Sequence, residues 1–181
     1  MKHLIIITGQ LATFKSTTAR QLGEDLAIPC LNKDDIKELL GDIIGYQNRA
    51  ENLNLSKATF ALMFHVARRV FMAHDAMILE SNFRDHEFET LKDHAKTEGI
   101  RLITVFMTGD PKVLLARYLE REPTRHHVHT STNLKTMADY QAAMRTFDEA
   151  LYGSDALLVD TTDPASFDYA RLLSDLKERL S

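Results

Sequence analysis

The chain has 181 residues, 44% of them hydrophobic and 27% charged, and its formal net charge is −4. This length suits one domain with a hydrophobic core, and the acidic balance excludes a general attraction to nucleic acid or anionic membranes. The single cysteine, Cys30, excludes an internal disulfide, and the apolar run at residues 4–7 is too short for a signal sequence. No stretch approaches the ~20 apolar residues of a membrane span. We therefore expect one soluble, cytoplasmic domain over residues 1–181.

Short apolar runs alternate with helical patterns along the whole chain. The runs are continuous, which is typical of strands that are covered by helices on both faces. Strands are predicted at residues 3–8, 28–32, 76–81, 101–107 and 156–160. Helices are predicted at residues 15–26, 34–40, 55–74, 85–98, 111–121 and 133–152, with a last helix after the cap signal Asp163–Pro164.

This alternation predicts an α/β protein, with a five-stranded parallel sheet between two layers of helices. Ligands of such sheets bind beyond the carboxyl ends of the strands, so the loops that follow the strands are the candidates for function. Residues 122–133 have almost no apolar side chain and are predicted to form an exposed, mobile loop.

The loop after the first strand, "GQLATFKS", has the spacing G-x-x-x-x-F-K-S, against G-x-x-x-x-G-K-[ST] for a phosphate-binding loop. Backbone amides of such a loop surround phosphates, Lys15 would reach the β- and γ-phosphates, and Ser16 would bind Mg²⁺. The alternative is a chance match between a strand and a helix. The residues predicted to bind ATP here are Gly9, Gln10, Leu11, Ala12, Thr13, Phe14, Lys15, Ser16 and Thr17.

Phe14 stands where the pattern has glycine, and it returns a large side chain to a crowded turn. The ring either points away from the phosphates, against the lid or the base, or narrows the loop and weakens binding. The sequence leaves both possibilities open.

Carboxylates follow the second and third strands. Asp34 and Asp35 suit a helix N-terminus, or one of them is the base that accepts a proton from a substrate hydroxyl, for which we favour Asp34. In "ILESNFRD", Glu80 and Asn82 either cap the strand end or serve the site, Glu80 by holding Mg²⁺ through water and Asn82 by contacting the acceptor. Lysines and arginines beside them, Lys33, Lys37 and Arg84, are candidates for holding an anionic substrate.

Three arginines follow the fourth strand, and Arg117 and Arg121 share a helix face because they are four residues apart. With Arg125 they are predicted to bind ATP, and Arg121 to neutralise charge on the transferring group; the alternative is a salt-bridged surface. His126 and His129 suggest zinc, but no further ligand is evident in the sequence, so contact with a lid or solvent is favoured.

Taken in order, these motifs resemble the small P-loop kinases of the AAA_33 type, which include polynucleotide 5′-hydroxyl kinases and chloramphenicol phosphotransferase-like enzymes. "ITGQLATFKSTTAR" resembles their phosphate loop, "LNKDDIKELL" their N-R-D-D-x-R stretch, "ILESNF" their D-x-N-L segment and "LLARYLER" their lid helix. "LLVDTT" resembles the closing strand, whose following loop lies near adenine.

The resemblance covers nearly the whole chain and implies a P-loop kinase fold with a short lid at about residues 117–133. It implies that Asp34 is the general base, that Lys37 grips a substrate phosphate, and that the cofactors are ATP and Mg²⁺. The chain departs from the pattern at Phe14, at Lys37, where arginine is usual, and at Glu80, where aspartate is usual.

We therefore expect a kinase that phosphorylates a hydroxyl of a small-molecule or nucleotide-like acceptor. Its catalytic residues are predicted to be Asp34, Lys15 and Arg121, and its acceptor is predicted to contact Asp34, Lys37, Asn82 and Arg84. The acidic net charge disfavours long nucleic acid as the acceptor. The alternatives are a nucleotide-binding regulator that has lost catalysis through Phe14, and, more remotely, a histidine metal site with hydrolase activity.

Overall fold

In a computed structural model, which describes residues 1–129 and 134–181, five parallel strands form one sheet. The strand order is β2-β3-β1-β4-β5. The strands are Lys2–Gly9 (β1), Cys30–Asn32 (β2), Ala76–Glu80 (β3), Ile100–Thr108 (β4) and Leu157–Asp160 (β5). The predicted three-layer α/β/α fold with a five-stranded parallel sheet is confirmed.

Helices connect the strands and cover both faces of the sheet. They are Lys15–Leu26 (α1), Lys33–Ile44 (α2), Arg49–Val70 (α3), Asp85–Thr97 (α4), Pro111–Arg121 (α5), Met137–Ala143 (α6), Glu149–Tyr152 (α7) and Tyr169–Leu180 (α8). Short 3₁₀ turns lie at Glu122–Thr124 and His127–His129. None of the helices in the described residues is long and apolar enough to cross a bilayer.

The buried strand β1 divides the core because its side chains alternate between the two faces. Leu4 and Ile6 pack with residues of α3 and α4, whereas Ile5 and Ile7 pack with residues of α1 and α8. A third, smaller cluster joins α5 and α6 above the sheet, with Tyr140 at its centre. The continuous apolar runs of the sequence thus reflect burial on both faces.

Several predicted boundaries differ from the structure. The helix predicted at residues 34–40 runs on to Ile44, where Gly45 ends it with a φ of 72°. The helix predicted at residues 55–74 begins earlier, at Arg49, because the Asn48 side chain accepts a hydrogen bond from the Glu51 amide and caps it. The last helix is capped by Asp168, and Asp163 closes a separate turn before it.

The prediction of one helix over residues 133–152 is wrong for its described part, and Asn133 lies outside the described residues. Two short helices, α6 and α7, lie there instead, each with its own N-cap. Thr136 caps α6 by accepting from the Asp139 amide, and Asp148 caps α7 by accepting from the Ala150 amide. Two capping residues within one apparently helical pattern favour a break between them.

Candidate active site

The carboxyl ends of β1, β2 and β3 lie side by side. Ile7 pairs with Glu80 across β1 and β3, and Asn32 pairs with Glu80 across β2 and β3. The segments that leave these strands are the phosphate loop, the start of α2 with Asp34, and the polar residues after Glu80. The topology therefore gathers three of the predicted site segments at one edge of the sheet.

The phosphate loop turns sharply at its first residue. Gly9 has a φ of 123°, and a Cβ there would lie 2.1 Å from the Met107 carbonyl oxygen, so no other residue fits. Ala12 and Phe14 are also left-handed, with φ values of 60° and 62°. Left-handed residues interspersed along a turn bring successive amides to one side, as an anion-binding loop requires.

Phe14 keeps the left-handed conformation of the glycine that it replaces and precedes the first residue of α1. Its ring is 36% exposed and lies against the Arg117 guanidinium, 4.8 Å from the ring centroid. The ring forms part of the cavity wall beside the loop. Of the two possibilities that the sequence left open, the structure shows packing against a lid-helix arginine.

Lys15 is buried, and its ammonium group lies over the loop that precedes it. Its Nζ donates to the Gln10 carbonyl oxygen and to Thr13 Oγ1, the latter at 3.3 Å, and Thr13 Oγ1 donates to the same carbonyl at 2.8 Å. Burial lowers the pKa of Lys15, although the Glu80 carboxylate nearby opposes the shift. The ammonium thus sits within the loop, at its centre of curvature.

Ser16 and Glu80 form a pair at the floor of the site. Ser16 Oγ donates to Glu80 Oε2 at 3.0 Å, and the Glu80 side chain is almost fully buried. Burial raises the pKa of Glu80 to about 7, against the opposing effect of Lys15. A hydroxyl and a carboxylate beside a phosphate loop are the oxygen ligands, direct or through water, that Mg²⁺ prefers.

Two polar atoms beyond Glu80 are buried and have no hydrogen-bond partner within the part of the chain that the structure describes. They are Ser81 Oγ and Asn82 Oδ1. Buried polar groups are nearly always paired, so both atoms are available to a bound molecule. The alternative for this segment, capping of the strand end, would have used these atoms.

The two neighbouring aspartates of α2 have different surroundings. The N-cap of α2 is Asn32, so neither aspartate caps the helix. Asp35 forms an ion pair with Arg20 at 2.7 Å and accepts from Asn32 Nδ2. The Asp34 side chain is half exposed and faces the cavity beside the phosphate loop. Asp34 is therefore the carboxylate of this pair that a substrate can reach.

A cavity of about 350 Å³ joins these parts. Loop residues 11–17, Asp34, Glu80, Ser81 and Asn82 line one side of it, and Tyr118, Arg121 and Arg125 line the other. Arg125 lies over the Tyr118 ring, 5.0 Å from its centroid. The lid helix thus presents two arginines to the phosphate loop, as the sequence pattern suggested.

Arg117 points elsewhere. It donates to the carbonyl oxygens of Thr161 and Thr162, at 2.6 and 2.7 Å, and stacks on Phe14. It is outside the residues that line the phosphate cavity, so its predicted contact with ATP phosphates stays a prediction. The contacts instead connect the phosphate loop to the segment after β5, which the sequence resemblance puts near adenine.

The segment that follows α5 packs against α2, so the prediction of an exposed, mobile loop is wrong for residues 122–129. Val128 is fully buried, and it lies against Gly41, where a Cβ would come within 3.0 Å of it. Its carbonyl oxygen accepts from Asn52 Nδ2 at 3.0 Å and from Lys37 Nζ at 3.5 Å. One apolar residue in a polar segment was enough to dock it. The rest of the predicted loop, residues 130–133, lies outside the described residues.

The histidines of this segment contact α2. His126 Nε2 pairs with Asp42 at 3.0 Å, His129 Nε2 with Glu38 at 2.9 Å, and His127 stacks on Tyr46. Asp42, His126 and His127 bring three potential metal-ligand atoms within 4.8 Å of one another. This carboxylate could not be foreseen from the sequence. The described residues supply three ligands, fewer than the four of a structural zinc site.

The predicted acceptor residues lie on the far side of Asp34. Lys37 and Arg84 line a second cavity, and Asn82 lines both cavities. Lys37 is buried, donates to Asn52 Oδ1 at 2.8 Å, and has its pKa lowered to about 8 by burial. Its donors already hold the segment at Val128, so its predicted grip on a substrate phosphate stays a prediction.

Some residues of the two cavities were not foreseen. Tyr118 appeared in the sequence as part of a buried stripe, and Arg145 lay within a predicted helix. Arg145 occupies the stretch between α6 and α7, where its carbonyl oxygen accepts from Gln10 Nε2 at 3.2 Å. Nothing in the local pattern connects residues 10 and 145, so only the fold could bring them together.

No model of a known protein family matches the chain, and no curated protein matches it in sequence. Solved structures do. A suspected kinase from Chloroflexus aurantiacus is 26% identical over 99% of both chains, with a TM-score of 0.85. A gluconokinase from Sinorhizobium meliloti (16% identity, 98% and 97% of the two chains) and a shikimate kinase from Bacteroides thetaiotaomicron (16%, 98% of both) have TM-scores of 0.57 and 0.55.

The fold is that of the small P-loop kinases. The structural neighbours cover nearly the whole length of this chain and of their own, so the likeness extends to the lid as well as to the sheet. The more specific likeness to the AAA_33 type rests on the sequence motifs alone.

Proposed function

We propose that this protein is a phosphotransferase that uses ATP and Mg²⁺ and moves the γ-phosphoryl group to a hydroxyl of a small-molecule or nucleotide-like acceptor. The observation that carries the proposal is the single cavity that collects the phosphate loop, Asp34, Glu80 and Arg121. The likeness to a suspected kinase along the full chain supports the same reaction class. The resemblance to the AAA_33 group belongs to this proposal.

The residues present fit ATP and Mg²⁺. The loop has the glycine turn, the left-handed residues and the buried lysine of a phosphate cradle, and the cavity of about 350 Å³ beside it is open. Ser16 and Glu80 supply the oxygens for Mg²⁺, and Ser81 Oγ lacks a partner in the described residues. When bound, Mg²⁺ neutralises charge on the phosphoryl oxygens.

The side chains then divide the work of phosphoryl transfer. Asp34 accepts the proton of the acceptor hydroxyl, whose oxygen forms a bond to the γ-phosphorus while the bond to the bridging oxygen breaks and ADP departs. Lys15 and Arg121 stabilise the charge that spreads over the transferring oxygens. Arg125 and Tyr118 cover the cavity and reduce access of water.

The test is ATP consumption with a panel of hydroxyl acceptors, followed by variants at the two aspartates. Asp34→Asn should lower kcat by about 10²–10⁴-fold, the usual contribution of a general base, and leave ATP affinity unchanged. Asp35→Asn is the matched control, because Asp35 stands next to Asp34 and pairs with Arg20. It should keep its turnover. Lys15→Ala should greatly weaken ATP binding or turnover.

Full turnover by Asp34→Asn would remove the assignment of the base. Absence of ATP binding in the wild-type protein, with Mg²⁺ present, would remove the proposal as a whole.

A second candidate function is a nucleotide-binding regulator without catalysis. It is supported by Phe14, which strains the loop, and by Lys15, whose ammonium is already bonded to Gln10 and Thr13. ATP binding without turnover for every acceptor would favour the regulator. The shared presence of Asp34, Glu80 and Arg121 around one cavity favours the enzyme.

A further inference from the structure

A second cavity, of about 540 Å³, adjoins the phosphate cavity. The two share Leu11, Lys33, Asp34, Asn82 and Arg125 in their linings. Asp34 therefore lies at their junction, so that a molecule in the second cavity can present a hydroxyl to it while ATP occupies the first. The second cavity is the place for the acceptor, and its lining selects what the acceptor is.

The lining of this cavity is strongly cationic, although the whole chain is acidic. Asp34 is the one carboxylate among the described residues that line it. Six basic side chains surround it: Lys33, Lys37, Arg49, Arg84, Arg125 and Arg145. Four of the six, Lys37, Arg49, Arg84 and Arg145, lie outside the phosphate cavity, so their charge is not needed for ATP.

Two buried polar atoms in this lining lack partners in residues 1–129 and 134–181. They are Arg145 Nε and Asn82 Oδ1. Arg145 uses Nη1 to pair with Asp85 at 3.0 Å, which leaves Nε as an unused donor on a fixed guanidinium. A buried donor left unpaired is costly, and an oxyanion that accepts from Nε would remove that cost.

The wall that carries Arg145 is attached to the phosphate loop. Gln10 Nε2 donates to the Arg145 carbonyl oxygen at 3.2 Å, and Tyr140 Oη donates to the Leu11 carbonyl oxygen at 3.0 Å. On the opposite side, Arg84 follows β3 directly and its amide donates to Glu87 Oε2 at 2.7 Å. The basic groups are therefore held at fixed positions relative to the loop that binds ATP.

We propose that the acceptor is a small alcohol that carries a phosphomonoester group, held by Arg84 and Arg145, and that its free hydroxyl is phosphorylated beside Asp34. This inference rests on the proposed function. A single carboxylate would leave most of the basic lining without counter-charge, whereas a dianionic phosphoryl group offers more charge and three acceptor oxygens to forked guanidinium donors. The acceptor hydroxyl gives its proton to Asp34, ATP becomes ADP, and the product carries two phosphoryl groups.

The experiment compares phosphorylated alcohols with their parents, by ADP release and by calorimetry on the full-length protein. The probes are glycerol 3-phosphate, ribose 5-phosphate and adenosine 3′-monophosphate, with glycerol, ribose and adenosine as parents and gluconate as a carboxylate. We expect at least one phosphorylated probe to exceed its parent by 100-fold or more in kcat/KM.

Variants then test the two arginines. Arg84→Gln and Arg145→Gln should each raise the acceptor KM at least tenfold, with kcat and ATP affinity changed less than threefold. Arg84 is exposed, so its variant keeps the test valid if Arg145→Gln does not fold. Arg171→Gln is the matched control, because Arg171 is a largely exposed arginine on α8, outside both cavities. It should behave as wild type.

Calorimetry on Asp34→Asn separates this inference from the proposed function. Binding of a phosphorylated probe that Arg84→Gln abolishes, with no turnover in wild type, would uphold the anion site and overturn the kinase proposal. Turnover of parents or gluconate at rates equal to or above those of the phosphorylated probes would uphold the kinase and overturn the phosphomonoester. Phosphate binding that Lys15→Ala abolishes and Arg84→Gln leaves intact would also overturn it, since the probe would then occupy the ATP loop.

Discussion

The backbone at Phe14 offers a sharp test of the phosphate loop. An L-residue in the left-handed region brings its Cβ close to the following carbonyl oxygen, at a cost of roughly 1–2 kcal/mol, and glycine escapes this cost. Phe14 has φ 62° and ψ 18°. Phe14→Gly and Phe14→Ala both remove the ring, but only the glycine relieves the backbone.

The expected magnitudes follow from the contacts of the ring. Both variants lose the stacking with Arg117, which is worth ~0.5–1 kcal/mol at an exposed site. Phe14→Ala should therefore unfold more easily than wild type by about 1 kcal/mol or slightly more, because the strain remains. In Phe14→Gly the loss of stacking and the relief of strain nearly cancel. The glycine variant should be about 1 kcal/mol more stable than the alanine variant.

Urea denaturation of the three proteins without ligand measures these differences. Ala27→Gly is an internal control, because Ala27 ends the same helix with a φ of 53°, and it should gain about 1 kcal/mol. If Ala27→Gly shows the gain and Phe14→Ala equals Phe14→Gly, position 14 is not left-handed. ATP should still bind to Phe14→Gly, because the cradle is made of backbone amides; loss of binding would mean that the ring itself contacts the nucleotide.

Two further predictions concern Glu80 and Arg117. Burial raises the pKa of Glu80 from 4.5 to about 7, so the folded protein holds a proton that the unfolded chain releases, and stability falls as pH rises through this window. Glu80→Gln removes this dependence, and its stability relative to wild type should increase by on the order of 3 kcal/mol between pH 4.5 and pH 7.5 in urea denaturation; a difference that does not vary with pH would contradict the shift. Arg117→Met should cost about 1–3 kcal/mol, because two charge-assisted bonds to the carbonyls of Thr161 and Thr162 are lost, and hydrogen exchange after β5 should accelerate. Arg121→Met, which loses no such bond in the described residues, should keep its stability and lose turnover, and equal destabilisation of both variants would argue against the assigned contacts.

Local patterns were sufficient wherever neighbours in sequence are also neighbours in space. The run before Gly9, the glycine turn and the helix after Lys15 form one continuous unit, so the sequence predicted strand, loop and helix within a residue or two. The five strands and their parallel order follow from continuous apolar runs separated by helices. The helix over residues 133–152 failed because propensity outweighed the two capping residues in the prediction, whereas the caps decide where a helix begins.

The roles of individual charged residues required distant partners. Helical spacing put Arg117 and Arg121 on one face, yet Arg117 turns to carbonyls that are present only because β5 pairs with β4. Asp34 and Asp35 are adjacent in sequence, and Arg20 of another helix separates their roles.

By itself, the sequence determined the layers of the protein, the position of the phosphate loop and the edge of the sheet where ligands bind, because these depend on periodicity and on short-range geometry. The tertiary structure decided which carboxylate faces the cavity, that residues 126–129 dock on α2, and that Arg145 joins a basic acceptor cavity. Those features depend on side chains from segments up to 135 residues apart, such as Gln10 and Arg145, and such contacts are set by packing that no local pattern encodes.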